Sequence, residues 1–434
     1  MPHVPAIAFI TLGCPKNEVD TDRMRAAVAA SAFTLAEEPE DADIVVVNTC
    51  SFIADATEES VNTILDIAAQ WLPEREGRHI VVAGCMPARY GEELAREMPE
   101  VSAFVAIAEE GALLDVLARI TGVASAATRD ASAPSRTAGG PSAYLRISDG
   151  CHRACAYCTI PSIRGDYVST RLAAIVAEAT ELVSLGAREL VLIGQDITAY
   201  GRDLPGSETL ADVVRAVAAV PGVDWVRLMY IQPDGVTDKL LAAIAENPNV
   251  CRYLDIPLQH ASKRVLRAMR RSGDASVFLS LIERVREALP DVVLRTTLIA
   301  GFPGETRDDV RELHAFVHAA RFDYVGVFAY SPEESTAAAE MPGQIPLRTR
   351  RARAQRLRDI ADEIGFEKAA ERVGLTLDVL VEGRDEDEGV VVGRWCGQAP
   401  EIDGLVRLDR GDAGQIVSAR IVDSLGYDLE GEVV

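Results

Sequence analysis

Short apolar runs recur along this chain, separated by amphipathic stretches. Residues 6–12, 43–48 (DIVVVN) and 79–84 (HIVVAG) are rich in Val and Ile and too short for helices. Helical stretches from about 18 to 32 and over 56–71 lie between them. Runs that are apolar on both faces belong to a parallel sheet covered by helices. Residues 124–142 (ASAATRDASAPSRTAGGPS) are small, polar and rich in Pro and Gly, which predicts a linker. The alternation then resumes. Strand candidates are 144–148, 189–194, 225–230, 253–257, 293–300 and 324–330. Six βα units make an open or partial barrel, because eight would be needed to close a standard one. A long helix is predicted over 347–372. It begins with Arg348, Arg350, Arg351, Arg353, Arg356 and Arg358, a charge run read as a solvated face. From Val373 the pattern changes to short strands broken by Gly and Asp, which predicts a small antiparallel β-barrel.

Composition narrows the class of protein. The chain has 434 residues, 48% hydrophobic and 26% charged, which fits a globular enzyme of two or three domains. It contains no apolar run of membrane-spanning length, and its first residues lack the basic start and cleavage site of a signal peptide. A cytoplasmic protein is therefore expected. The formal net charge of −23 makes it a poor sequence-independent partner for phosphate backbones and suits a basic partner. Eight cysteines in a reducing compartment point to metal ligation or catalysis rather than to disulfides.

Two groups of cysteines carry the chemistry. Cys151, Cys155 and Cys158 lie in SDGCHRACAYCTIP, directly after the first strand of the six-unit array. Active sites of such arrays form where loops leave the carboxyl ends of strands. Four-iron clusters normally take four cysteines, so three leave one iron open to a substrate or cofactor. A structural zinc would want a fourth protein ligand, and His152, next to Cys151, is badly placed to be one. Cys14, Cys50 and Cys85 each follow a strand, one βα unit apart, in FITLGCPKN, VVVNTCSF and VVAGCMP. Strand ends of a parallel sheet converge on a common crevice. Three thiols placed there can meet at one point, the alternative being three separately buried thiols.

The CxxxC-aromatic-C loop resembles that of the radical S-adenosylmethionine superfamily. LGCPKNEVDTDRM, NTCSFIADATEES, Gly84-Cys85 and the Cys151 loop together resemble the methylthiotransferase family. GCPKN, QDITAYG, YLDIPLQHAS, GFPGET, DYVGVFAYSPEES and APEIDG are similar to its RimO branch, which acts on a ribosomal protein. The resemblance implies an α/β protein with three parts. These are an N-terminal flavodoxin-like parallel sheet (1–123), a central partial (β/α)6 radical-SAM barrel (142–366) and a C-terminal TRAM β-barrel (367–434), with a linker over 124–141. It implies two 4Fe-4S clusters, one on Cys14, Cys50 and Cys85. The second, on Cys151, Cys155 and Cys158, would bind S-adenosylmethionine. One S-adenosylmethionine would methylate a sulfur carried by the first cluster. Another would be cleaved at the second, yielding a radical that takes a β-hydrogen from an aspartate of small-subunit ribosomal protein twelve. The carbon radical would then capture the methylthio group, which requires both open irons to face one cavity. Implied partners are that basic ribosomal protein and a reductant such as flavodoxin or ferredoxin, without a membrane and without RNA binding as the dominant contact. The barrel segment carries more acidic than basic side chains, in keeping with a basic substrate.

Tyr157, between two of the cysteines, is a candidate to hold adenine. Gln195, Asp196 and Glu305 follow barrel strands and are candidates for cofactor contacts, the plainer reading being caps and loop hydrogen bonds. Arg270 and Arg271 are candidates for a carboxylate. Cys251 reads as a packed core thiol. His314 and His318 share a helix face but lack the glutamate of HExxH. Three departures from the branch stand out: Ser335 where glycine is usual, Arg171 one place late after Ser169-Thr170, and Cys396 in the barrel. Two other readings remain: a tRNA adenosine methylthiotransferase, which shares the chemistry, and a non-catalytic metal-binding module.

Overall fold

The computed structural model describes residues 3–123, 133–137 and 139–434. Much of the linker expected over 124–141 lies outside the described residues. The chain forms two compact units. The first comprises Met1–Thr137 with Asp149–His152 and Thr159–Tyr167; the second comprises Ala138–Ser148, Arg153–Cys158 and Val168–Val434.

The first unit is built on a parallel sheet of β1 (Ala6–Thr11), β2 (Thr34–Leu35), β3 (Ile44–Thr49), β4 (His79–Gly84) and β5 (Ala103–Ala106). The strand order β2-β1-β3-β4-β5 is that of flavodoxin-like folds. Successive residues of the central strands point to opposite faces, and both faces are apolar. Ala8, Val45, Val47, Ile80 and Val82 join one core, while Ile7, Ile44, Val46, Val81 and Ala83 join the other. All six residues of β3 are buried, and each Val or Ile contributes about 1.5–3 kcal/mol by leaving water. The helix expected over 56–71 is α-helical over Ala54–Asp66 and continues as a π-turn over Ile67–Trp71. The Trp71 indole N–H donates to Pro39 O at 2.6 Å. Register aligns the carboxyl ends, with Thr11 opposite Asn48 and Thr49 opposite Gly84. The chain turns that carry Cys14, Cys50 and Cys85 therefore leave three adjacent strands at one edge.

The second unit holds β6 (Ser142–Arg146), β9 (Glu189–Ile193), β10 (Trp225–Leu228), β11 (Val250–Asp255), β12 (Val293–Ala300) and β13 (Tyr324–Ala329). The short β7 (Ser148–Asp149) and β8 (Val168–Ser169) lie outside this sheet. The six strands pair in parallel in the order β13-β12-β11-β10-β9-β6, the open six-unit array predicted from the pattern. Leu347–Ala370 is one helix. β14 (Thr376–Arg384), β15 (Val391–Trp395), β16 (Val406–Leu408), β17 (Ile416–Leu425) and β18 (Asp428–Val433) close a barrel. Four of its pairings are antiparallel and β16–β18 is parallel. Among the described residues no helix is long and apolar enough to cross a membrane.

A buried ionic seam joins barrel and sheet within this unit. Glu189 of β9 accepts from Arg227 Nε at 2.7 Å and from Arg394 Nη2 at 2.6 Å. Asp403 accepts from Tyr253 Oη at 2.5 Å and from Arg295 Nε at 3.2 Å, and Arg295 also donates to Asp255 at 3.0 Å. Each of these carboxylates is desolvated, so its arginine partners decide whether the seam is stabilising.

Candidate cluster sites

In the first unit Cys14 is the N-cap of the helix Pro15–Ala29, Cys50 follows β3, and Cys85 opens the helix Cys85–Tyr90. Cys50 and Cys85 are buried and Cys14 is half-buried. Gly13 lies at φ 103, and a Cβ there would come within 2.4 Å of Cys50 Cβ. Only glycine allows that approach. The hub of the site is Asn17, one turn into the first helix and fully buried. Its Nδ2 donates to Leu12 O at 2.8 Å and to Thr49 O at 3.0 Å, tying the segments that lead to Cys14 and Cys50. Its Oδ1 faces Cys14 Sγ at 3.9 Å and Cys85 Sγ at 3.7 Å. The same Oδ1 accepts from Arg164 Nη2 at 3.0 Å. Arg164 also reaches Asp20 at 2.8 Å and Asp149 at 3.2 Å.

The electrostatics of this group favour neutral thiols. Burial pushes the Cys50 thiol up, and pushes Cys85 up to about 12, with Arg164 opposing the rise at both. Burial by itself would lower the Arg164 guanidinium, but Asp20 and Asp149 outweigh it and hold the charge in place. Neither buried thiol ionises by itself at neutral pH, so ligation must supply positive charge. Among the described residues no three His, Cys, Asp or Glu side chains group as a single metal ion would require. Cys14 and Cys85 facing one carboxamide oxygen, with Cys50 packed beside Gly13, offer sulfurs that suit the corners of a larger cluster, and the donor set fits it.

The second motif is one continuous loop. Gly150 lies at φ 72, where a Cβ would meet Asp166 O at 2.1 Å, and Cys151 N donates to Gly165 O at 3.3 Å. Further along, Cys158 N donates to Cys155 O at 3.2 Å. Ala156 N donates to Met269 O at 3.0 Å and its carbonyl accepts from Ala338 N at 2.8 Å. Arg153, between the first two cysteines, pairs with the buried Asp196 at 2.6 Å and with Asp234 at 2.8 Å. Arg271 donates to Cys155 Sγ at 3.8 Å and is fixed by Gln232 Oε1 and Pro257 O, each at 2.8 Å. Tyr157 is packed against the core, and burial holds its phenol well above the usual range, with Arg271 opposing.

The other expected residues fall as follows. Asp196 caps the turn Ile197–Ala199, accepting from Thr198 N at 3.0 Å, besides holding Arg153. Gln195 is half-buried in the loop after β9. Glu305 is enclosed after β12, accepting from Gly301 N at 2.9 Å and from Arg353, with His260 Nε2 at 3.2 Å. Arg270 is exposed in the left-handed region while Arg271 lies against the loop, so the two arginines part company. Cys251 is buried in β11, and burial raises its thiol. His314 and His318 lie on the helix Arg307–Ala320, where burial lowers His314 and neighbouring Arg356 lowers it further. Reading the sequence alone missed Asn17, Asp20, Arg153, Arg164 and His260. Asn17 and Asp20 lie inside LGCPKNEVDTDRM, Arg153 inside SDGCHRACAYCTIP and His260 inside YLDIPLQHAS, while Arg164 lies outside every motif.

The six-stranded array and the CxxxCxxC loop define a radical S-adenosylmethionine enzyme, and the radical SAM superfamily model matches residues 145–317. The uncharacterized protein family UPF0004 matches 6–106 and the TRAM domain matches 373–434. A Geobacter sulfurreducens protein named ribosomal protein uS12 methylthiotransferase RimO is 43% identical, covering 99% of this chain and 98% of its own. An Anaeromyxobacter protein of the same name is 45% identical, with coverage of 98% and 92%. The chain belongs to the RimO family of methylthiotransferases. Among solved structures, the radical S-adenosylmethionine methyltransferase TsrM from Kitasatospora setae matches with TM-score 0.56 at 13% identity, covering 87% of this chain and 81% of that one. The cobalamin-dependent radical enzyme OxsB matches with TM-score 0.52 at 13% identity, covering 84% and 56%. Both likenesses concern the fold.

Proposed function

We propose that this enzyme adds a methylthio group to the β-carbon of an aspartate in ribosomal protein uS12, using two 4Fe-4S clusters and two molecules of S-adenosylmethionine. We read residues 1–123, 142–366 and 367–434 as its three domains. Cys14, Cys50 and Cys85 would hold one cluster, and Cys151, Cys155 and Cys158 the other. When bound, the clusters supply an electron that cleaves S-adenosylmethionine to a radical and an iron that carries the sulfur to be transferred. The observation that carries this reading is that the Asn17 carboxamide faces the Cys14 and Cys85 sulfurs and holds the Thr49 carbonyl beside Cys50, joining three adjacent strand ends. A radical enzyme that only cleaved S-adenosylmethionine would have no use for it.

The residues of the chain hold, orient and exclude. Arg153 fixes the cysteine loop through Asp196 and Asp234, so the loop geometry is set before any ligand arrives. Arg271 keeps an N–H on Cys155 Sγ, which withdraws charge from that sulfur. Tyr157 closes the loop against the core and keeps water from it. Gln195, Asp196 and Glu305 stand on loops after barrel strands, where cofactor contacts belong. The relatives' names supply the substrate, and the acidic chain, with pI near 4.7, complements a basic ribosomal protein. A small redox protein such as flavodoxin or ferredoxin would be the electron donor, and a cytoplasmic reaction accords with such partners.

The test is mass spectrometry of uS12 after co-expression with this enzyme under low oxygen. A gain of about 46 Da on one aspartate, the mass of S plus CH2 brought by the cofactors, is expected. Unmodified uS12 alongside methylthiolated tRNA would move the enzyme to the other branch of its family.

A further inference from the structure

Arg164 is a fully charged group whose side chain is only 1% exposed, set among buried thiols. We propose that Arg164 is a positioning residue that offsets the negative charge of the Cys14, Cys50 and Cys85 thiolates and thereby raises the reduction potential of the cluster they hold. The inference rests on the reading of those three cysteines as cluster ligands. Its basis is geometric. Nη2 donates to Asn17 Oδ1, the atom that faces both Cys14 Sγ and Cys85 Sγ. The guanidinium is therefore one atom removed from two of the three sulfurs. It is also held from behind. Arg164 ends the helix Ile160–Arg164, and Thr159 Oγ1, at the start of that helix, donates to Phe52 O at 3.1 Å, just past Cys50.

Three thiolates in a buried site repel one another, and each costs several kcal/mol to desolvate without a cation nearby. Adding an electron makes the site more negative still, so a fixed positive charge favours the reduced state. Asp20 pulls the other way, because it neutralises part of the Arg164 charge at 2.8 Å. An arginine that merely tied the helix Ile160–Arg164 to the helix Pro15–Ala29 would affect stability and leave the potential unmoved. The two roles thus part on a redox measurement.

The experiment uses the full chain with Cys151, Cys155 and Cys158 changed to Ala, so that only the first unit takes up a cluster, reconstituted anaerobically with iron and sulfide. Potentials are read by spectroelectrochemical titration for this parent and for Arg164→Met, Arg164→Lys and Asp20→Asn added to it. Arg164→Met is expected to shift the one-electron equilibrium about tenfold toward the oxidised form, about 59 mV. Arg164→Lys should stay nearer the parent, and Asp20→Asn should move the potential upward. Unchanged potentials in Arg164→Met and Asp20→Asn, with a cluster present in the parent, overturn the role of Arg164 and leave the ligand assignment standing. A parent that takes up no cluster overturns both. If Arg164→Met fails to fold by circular dichroism, Asp20→Asn decides: a potential that does not rise overturns the proposal.

Discussion

The Asn17 carboxamide spends its two donors on backbone carbonyls and turns its acceptor to two sulfurs and a guanidinium. No other natural side chain of that length does both. Aspartate would lack the donors, and leucine would leave Leu12 O and Thr49 O without them, at about 1–3 kcal/mol for each buried group. Asn17→Leu should therefore lower the iron held after reconstitution by roughly half, if each site takes a four-iron cluster. S-adenosylmethionine cleavage should continue. Iron analysis with a cleavage assay checks this, and full iron in the variant would contradict the hub role. Ser335 offers a second residue-scale case. It lies at φ 65, in the left-handed region that costs a non-glycine residue about 1–2 kcal/mol. Ser335→Gly should recover about 0.5–1 kcal/mol after the entropy loss of glycine, seen as a raised melting temperature. The strand-end positions of Cys14, Cys50 and Cys85 were legible because apolar runs mark the strands before them. Asn17 and Arg164 were not, since their partners come from chain segments distant in sequence, which only the folded sheet brings together.

At the scale of elements, the long strands were legible because uninterrupted Val and Ile runs admit few other structures. β2 and β5 were not. β2 has two residues, and β5 (AFVA) is mostly half-buried at an edge, so neither leaves a distinctive apolar run. The parallel pairing of β16 with β18 was equally hidden, because closing a barrel is a long-range choice. The arginine run of the helix Leu347–Ala370 divides in a way that composition could not tell. Arg348, Arg351 and Arg356 are exposed as a solvated face would be. Arg350, Arg353 and Arg358 turn inward, to Tyr330 O, Glu305 and Val327 O. The Glu305 side chain is fully buried and pairs with Arg353. Arg353→Ala should cost about 3–5 kcal/mol by leaving that carboxylate uncompensated. Arg351→Ala, on the exposed face, should change stability by no more than about 0.5 kcal/mol. Denaturant midpoints of the two variants compare them directly; equal shifts would refute the division of the helix.

At the scale of the whole molecule, a chain of net charge −23 gains little stability from its surface charges and keeps its decisive ion pairs inside. The seam at Glu189 shows how pH should act on it. Burial alone would raise this carboxyl, but Arg227 and Arg394 win and hold it down to about 2. A carboxyl lowered in the folded state stabilises fully above its unfolded value of about 4.3 and loses that contribution as pH falls toward the folded value. Asp403 in the same seam behaves oppositely, because burial raises it and Arg295 and Tyr253 draw it back only in part. Its contribution therefore weakens as pH rises through the carboxylate range, and it cannot produce an acid limb of the same sign. Glu189→Gln isolates the contribution of this carboxyl. At neutral pH the variant should be less stable by about 3–5 kcal/mol, because two buried guanidinium groups lose their common anion. The gap should narrow below about pH 4 and close near the folded value, where the parent's own carboxyl takes up a proton. Denaturant midpoints for both proteins between neutral and strongly acidic pH measure this. A gap that stays constant across the range would mean that packing around Glu189, and not its charge, holds barrel and sheet together.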